Sequence, residues 1–197
     1  TCGNGDVEDG EECDCGTKQD CTRVGNTCCS NCKFVSNGTV CRATVSSCDV
    51  PEYCNGKSEV CPIDLKTANG INCDSNKGYC HEGECRTHSE QCKELWNGGA
   101  VKADDACYEV FNQRGDKDGN CKKQSDGTYS ACAPKNAQCG KLWCIGSSTI
   151  TPKDRGYSYY QTTATLNNRR INCRSADIYQ APGKPTLGTV LDGTKCG

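Results

Sequence analysis

The sequence predicts a small disulfide-rich, mostly irregular fold: a stapled region of turns and short hairpins, followed by a small α+β domain. Three observations carry this. Twenty-two of the 197 residues are cysteine, a density that marks a disulfide scaffold. Leu, Ile, Val and Phe together supply 24 residues, too few for an ordinary apolar core. Through Cys92 the cysteines are separated by Gly, Asn, Asp and Ser, which is turn chemistry without sustained helical or strand periodicity.

Sulfur therefore has to offset the chain entropy that apolar burial cannot. Each bridge contributes about 2–4 kcal/mol by restricting the unfolded ensemble. The even count permits complete pairing, and pairing persists only in an oxidising compartment, so the chain is expected to be secreted and extracellular. No apolar run approaches a membrane span, and Thr1 does not open a signal peptide. The expectation is a mature secreted protein or a segment of one.

The elements follow in order. Residues 1–86 read as a first domain of turns and short hairpins. Residues 87–197 read as a second, more globular domain. Thr87 and Glu90 stand at capping-box spacing ahead of Leu95 and Trp96, which predicts a short helix ended by Asn97-Gly98-Gly99. Ala103, Ala106, Cys107, Val110 and Phe111 share one face at spacings of three and four, which predicts a second helix over Ala100–Phe111. Between Cys144 and Cys173 the chain is rich in Thr, Ser and Tyr, and reads as short strands or an extended loop.

Charge divides unevenly. Residues 1–100 carry a net charge of −7 and residues 101–197 of +5. The acidic half suits cations and the basic half acidic protein or polysaccharide surfaces. Nucleic acid is disfavoured, because the basic residues are scattered and the compartment is wrong.

Asn4, Asp6, Glu8, Asp9, Glu11, Glu12 and Asp14 crowd six carboxylates and an amide around three cysteines, with no basic residue before Lys18. Calcium takes six to eight oxygen ligands in flexible geometry and suits such a set. This is not an EF-hand, because Gly10 falls one residue late and cysteines interrupt the loop. Asp49, Glu52 and Asp64 form a sparser second set, with Pro51 and Pro62 fixing turns. Arg114-Gly115-Asp116 spells the integrin-binding tripeptide; the simpler reading is a polar turn following a helix. Asn37-Gly38-Thr39 is an N-glycosylation sequon. Catalytic machinery is thin: His81 and His88 lie in no zinc motif, and no serine sits in a nucleophile-elbow context. The chain alone is not expected to be an enzyme.

The strings Cys2-Gly3-Asn4, Glu11-Glu12-Cys13-Asp14-Cys15-Gly16, Cys48-Asp49-Val50-Pro51-Glu52-Tyr53-Cys54, Gly78-Tyr79-Cys80, Cys139-Gly140-Lys141-Leu142 and Gly193-Thr194-Lys195-Cys196 resemble the disintegrin-like plus cysteine-rich region of the ADAM and P-III snake venom metalloproteinase family. Venom proteins with a shortened disintegrin-like domain look closest. The resemblance implies an elongated curved arm ending in a hand. It also implies two structural calcium sites. The first would use carbonyls of Thr1 and Asp6 with side chains of Asn4, Glu8, Glu11 and Asp14. The second would use Asp49, Glu52 and Asp64 with carbonyls of Val50 and Leu65. Zinc belongs only to a catalytic domain absent from this sequence.

Three departures from the family accompany the likeness. Four cysteines usual between Cys21 and Cys28 are missing, and the chain stops before a final cysteine pair. The disintegrin loop reads Ser46-Ser47-Cys48-Asp49, without the usual acidic residue before Cys48.

The leading functional expectation is a monomeric venom-type binding module. It would recognise platelet integrin, collagen or von Willebrand factor-like proteins through a surface at about 145–172, and interfere with platelet function. Tyr157, Tyr159, Tyr160, Arg169 and Arg170 carry that surface, with Arg114, Gly115 and Asp116 as a lesser contributor. The alternative is the substrate-recognition region of a zinc metalloendopeptidase; a third reading is a scaffold that binds nothing in particular.

Overall fold

The computed structural model describes residues 1–96, 98–146, 156–179 and 187–197, apart from the Tyr157 side chain. Asn97 and residues 147–155 of the expected recognition surface lie outside the described residues. All twenty-two cysteines are oxidised. The chain divides into two compact units, one of Thr1–Ala68 with Glu82–Glu84, the other of Asn69–His81 with Cys85–Gly197.

The first unit holds a helix that the turn-rich sequence had hidden, α1 (Lys18–Val24). Thr17 accepts from the Asp20 backbone while the Asp20 carboxylate returns a bond to the Thr17 backbone, and Gly25 closes the helix in the left-handed region. The shorter Asp stands at the third helical position where Glu or Gln is usual, which masks the capping box in the sequence. Two short antiparallel pairs follow: β1 (Cys29–Ser30) with β2 (Lys33–Phe34), and β3 (Val40–Arg42) with β4 (Glu52–Tyr53). Bridges Cys2–Cys32, Cys13–Cys29, Cys15–Cys21, Cys28–Cys54 and Cys41–Cys61 tie them together. The interior is the sulfur of Cys28, Cys54 and Cys61, with Val35 and Cys41 packed against it. In this unit bridges do replace an apolar core.

The second unit corrects that expectation. It opens with β5 (Asn72–Cys73) paired to β6 (Gly78–His81), followed by β7 (Glu84–Arg86), which belongs to this unit from Cys85 on, and α2 (His88–Leu95). Thr87 caps α2 as predicted, its hydroxyl accepting from the Glu90 backbone N–H at 3.1 Å. The second helix begins later than its periodicity indicated. Val101–Lys102 forms β8, and Asp104 caps α3 (Asp105–Asn112) through the Ala106 N–H. Ala100 and Ala103 are buried by the sheet side of this segment rather than by a helix.

Hairpin β9 (Lys122–Lys123) and β10 (Tyr129–Ser130) is closed by Cys121–Cys132, and a 3-10 turn follows over Pro134–Cys139. The four-stranded antiparallel sheet runs β12–β13–β11–β8, where β11 is Cys144–Ile145, β12 is Tyr157–Leu166 and β13 is Arg169–Ile178. β12 and β13 pair over ten residues each. Asn167 and Asn168, with φ of 50° and 59°, make the turn, the double positive φ that a tight two-residue hairpin loop demands. Trp96, Trp143, Tyr108, Phe111, Leu95, Leu142 and Ile178 fill a conventional core, crossed by Cys92–Cys144 and Cys107–Cys173. Few apolar residues suffice because both tryptophans, Tyr108 and Phe111 converge here, and each aromatic buries a large area. Gly188 is obligatory: at φ 118°, a Cβ there would lie 1.9 Å from the Ala176 carbonyl oxygen.

Candidate functional site

In the first acidic loop Asp14 is the organiser. Its carboxylate accepts four backbone N–H groups, from Gly3 (2.7 Å), Asn4 (3.1 Å), Gly5 (3.1 Å) and Gly16 (2.8 Å). These bonds, Gly16 foremost, hold its pKa below the usual carboxylate value although burial opposes them. Around it, the Asn4 Oδ1 accepts from the Asp6 N–H, Glu11 accepts from the Glu8 N–H, and Glu8 pairs with the amino group of Thr1. Glu12 faces Phe34 and Lys33 instead, and Lys33 also donates to the Gly10 carbonyl. The oxygens of Asn4, Glu8 and Glu11 retain lone pairs, and this mixed amide–carboxylate set fits a hard cation.

The second set is already compensated by the protein's own cations. The Lys66 ammonium lies 3.0 Å from Asp49 and 2.9 Å from Asp64. Arg42 lies 3.1 Å from Glu52, whose other oxygen accepts from the Leu65 N–H at 2.8 Å. Asp49 also accepts from the Val45 and Val50 N–H groups. The Val45 bond, then Lys66, hold the Asp49 pKa low; the bonds to Asp64 and Asp49 raise that of Lys66. A divalent ion here competes with an ammonium standing between the same two carboxylates.

Ser46-Ser47-Cys48-Asp49 is folded inward. Ser46 donates to the Gly83 carbonyl and accepts from the Cys48 N–H, Ser47 is exposed, and Asp49 is buried beside Lys66. The Arg-Gly-Asp string is likewise engaged. The Arg114 guanidinium lies over the Phe111 ring at 4.4 Å. Asp116 Oδ1 accepts from the Asp118 and Gly119 N–H groups at 2.9 and 2.8 Å. Gly115 sits at φ 70° with the Ala131 backbone where a Cβ would project. The tripeptide thus forms the exit of α3: the exposed Arg114 lies over a ring of its own helix, and one Asp116 oxygen is taken up by its own turn. Asn37 is exposed in a turn beside Gly38.

Tyr159 and Tyr160 do not share one patch. Strand alternation sends Tyr160 inward against Trp143, at 5.8 Å between ring centroids, while Tyr159 stays 46% exposed with its edge on Trp96. Arg169 pairs with Asp104; Arg170 is exposed. The register places Tyr159, Gln161, Thr163 and Thr165 on the same face as Arg170, Asn172 and Arg174. This outer face of the long hairpin is the coherent surface that Thr/Tyr composition alone did not reveal; the Asn167-Asn168 turn was its available signal.

Fold and sites together define a disulfide-stapled protein of two compact units. Residues 8–64 match the disintegrin family and residues 69–187 the ADAM cysteine-rich family, and the chain belongs to the ADAM family. It is 41% identical over 219 residues to mouse disintegrin and metalloproteinase domain-containing protein 19, covering 100% of this chain and 24% of the relative. The human protein 19 is 39% identical (100% and 22%), and mouse disintegrin and metalloproteinase domain-containing protein 12 is 37% identical (99% and 24%). The chain spans about a quarter of the length of these curated relatives. They are mammalian, and lend no support to the venom placement read from the sequence. No helix among the described residues is long and apolar enough to cross a membrane.

Proposed function

We propose that the chain is an extracellular adhesive recognition module that docks a protein partner, of the integrin class, on the outer face of β12–β13. The observation carrying this reading is the exposed row formed by Tyr159, Gln161, Thr165, Arg170 and Asn172 on a rigid ten-residue ladder. Tyrosine and arginine on a fixed scaffold are the residue types that anchor interfaces. The engaged state of Arg114 and Asp116 supports ranking that turn second. Collagen and von Willebrand factor-like proteins are the narrower, haemostatic version of the same proposal. A second reading follows from the relatives' printed names and their greater length: the same face selects substrates for a zinc metalloendopeptidase domain on the same polypeptide.

Calcium in this proposal is structural. The first loop takes it through Asn4, Glu8 and Glu11 with the carbonyls of Thr1 and Asp6, and Asp14 joins by exchanging amide bonds for the ion. At the second set, with Asp49, Glu52, Asp64 and the Val50 and Leu65 carbonyls, binding is weaker until Lys66 is removed. Asn37 is the proposed glycan acceptor.

Binding to an integrin ectodomain, measured by surface plasmon resonance in calcium, tests the docking face. Replacing Tyr159 and Arg170 together by Ala should weaken binding about tenfold or more, the scale of hot-spot loss, while Asp116→Ala changes little. Full loss with Asp116→Ala and none with the hairpin pair reverses the ranking.

A further inference from the structure

Two clefts in the second unit are lined by lysines. The larger, about 770 Å³, runs past the start of α2. There Lys93 pairs with Glu90, Lys102 with Asp105, and Lys195 lies on the Asn76 carbonyl and the Tyr79 ring; Lys77, Lys135 and Asp74 also line this cleft. The smaller, about 290 Å³, is lined by Lys117, Lys122, Lys123, Tyr129, Lys141, Asp177 and Tyr179, with Asn120 and Thr189.

The smaller cleft is organised differently. Its floor is neutral, because buried Lys141 pairs with Asp177 at 2.9 Å. Its walls carry three exposed ammonium groups, Lys117, Lys122 and Lys123, with no carboxylate partner among the described residues. Lys123 lies 5.9 Å from the Tyr129 ring, and Tyr179 is 53% exposed on the opposite element. The Cys121–Cys132 bridge and the Lys141–Asn120 backbone bond fix the hairpin to the floor.

We propose that this cleft binds a sulfated polysaccharide chain of the glycosaminoglycan class. Uncompensated ammonium groups meet the sulfates, and the two tyrosine rings offer faces to the sugar rings between them. An acidic peptide is the poorer fit: the lining has no Leu, Ile or Val among the described residues, and peptide recognition relies on pockets for side chains. The disulfide-fixed hairpin presents its charges without a conformational step, which lowers the ordering cost of binding.

A size-defined heparin oligosaccharide, titrated calorimetrically against the whole chain, tests this. Wild type should bind, and binding should weaken as salt rises, as charge-driven association does. Replacing Lys117, Lys122 and Lys123 by Ala should lower affinity about tenfold or more, the scale set by loss of several charged contacts. Replacing the three by Arg should retain it, and Tyr129→Ala with Tyr179→Ala should weaken it with charge unchanged. The unchanged tryptophan environment of Trp96 and Trp143 certifies folding in each variant. Equal binding by the alanine variant, transfer of the loss to Lys77→Ala with Lys135→Ala, undiminished binding of the desulfated oligosaccharide, or preference for poly-glutamate would each overturn the assignment.

Discussion

Asn112 ties the end of α3 to the 137–143 segment of the second unit through three hydrogen bonds, and its removal has a calculable cost. The side chain is fully buried. Its amide donates to the carbonyls of Ala137 and Lys141 at 2.8 and 2.9 Å, and its oxygen accepts from the Trp143 indole at 3.0 Å. Asn112→Leu keeps the branching and heavy-atom count of the side chain while adding methyl bulk, so no cavity opens and any overpacking adds to the loss. It leaves three buried polar groups without their partner. At about 1–3 kcal/mol for each unsatisfied group, partly relieved by relaxation, the loss should reach about 3–6 kcal/mol. With a urea slope of about 2 kcal/mol per molar, the midpoint should fall by about 1.5–3 M. Both tryptophans of the chain lie in this core, so their fluorescence under non-reducing conditions reports this unit alone. A loss below about 1 kcal/mol would show that these bonds contribute little net stability, and the reasoning that makes Asn112 the keystone would be wrong.

Two further outcomes follow from buried titratable groups. Burial lowers the His88 pKa, Lys102 adding to it, while the bond to the Gln138 carbonyl and Asp105 oppose. The unfolded chain then takes up the proton first as pH falls, so stability should be complete above the ordinary imidazole value of about 6.5 and decline below it, down to the lowered native value. His88→Gln should flatten the urea midpoint across that window; an unchanged slope would refute the account. Burial pushes the Tyr108 phenol far above its usual range, with its hydroxyl 2.7 Å from the Trp143 carbonyl. Ultraviolet titration of the native chain should therefore leave the Tyr108 phenol un-ionised until alkaline unfolding, and Tyr108→Phe should remove that late increment. An unchanged titration curve in Tyr108→Phe would contradict the buried placement.

What could be read from the sequence was local. Thr87 and Glu90 announced α2 because a cap acts within one turn, and the crowding of carboxylates around Cys2, Cys13 and Cys15 announced a folded acidic loop. Pairings such as Cys107 with Cys173, 66 residues apart, carry no local signal. The same holds for the core, whose members come from α2, α3, β12, β13 and the segment around Trp143, none apolar enough alone to announce it. Lys66 shows the limit on the site side. Asp49, Glu52 and Asp64 advertise a cation, but that the nearest one is a side chain of the same loop depends on a turn geometry the spacing does not encode.

The ladder of β12 and β13 has a bearing on how such a chain diversifies. Near the Asn167-Asn168 turn, Ala164, Ile171 and Cys173 face inward, whereas Thr163, Thr165, Arg170 and Asn172 face outward. Neighbouring codons therefore answer to different pressures. Drift at one set retunes what is recognised, drift at the other decides whether the domain survives, and a partner can be exchanged without reopening the architecture.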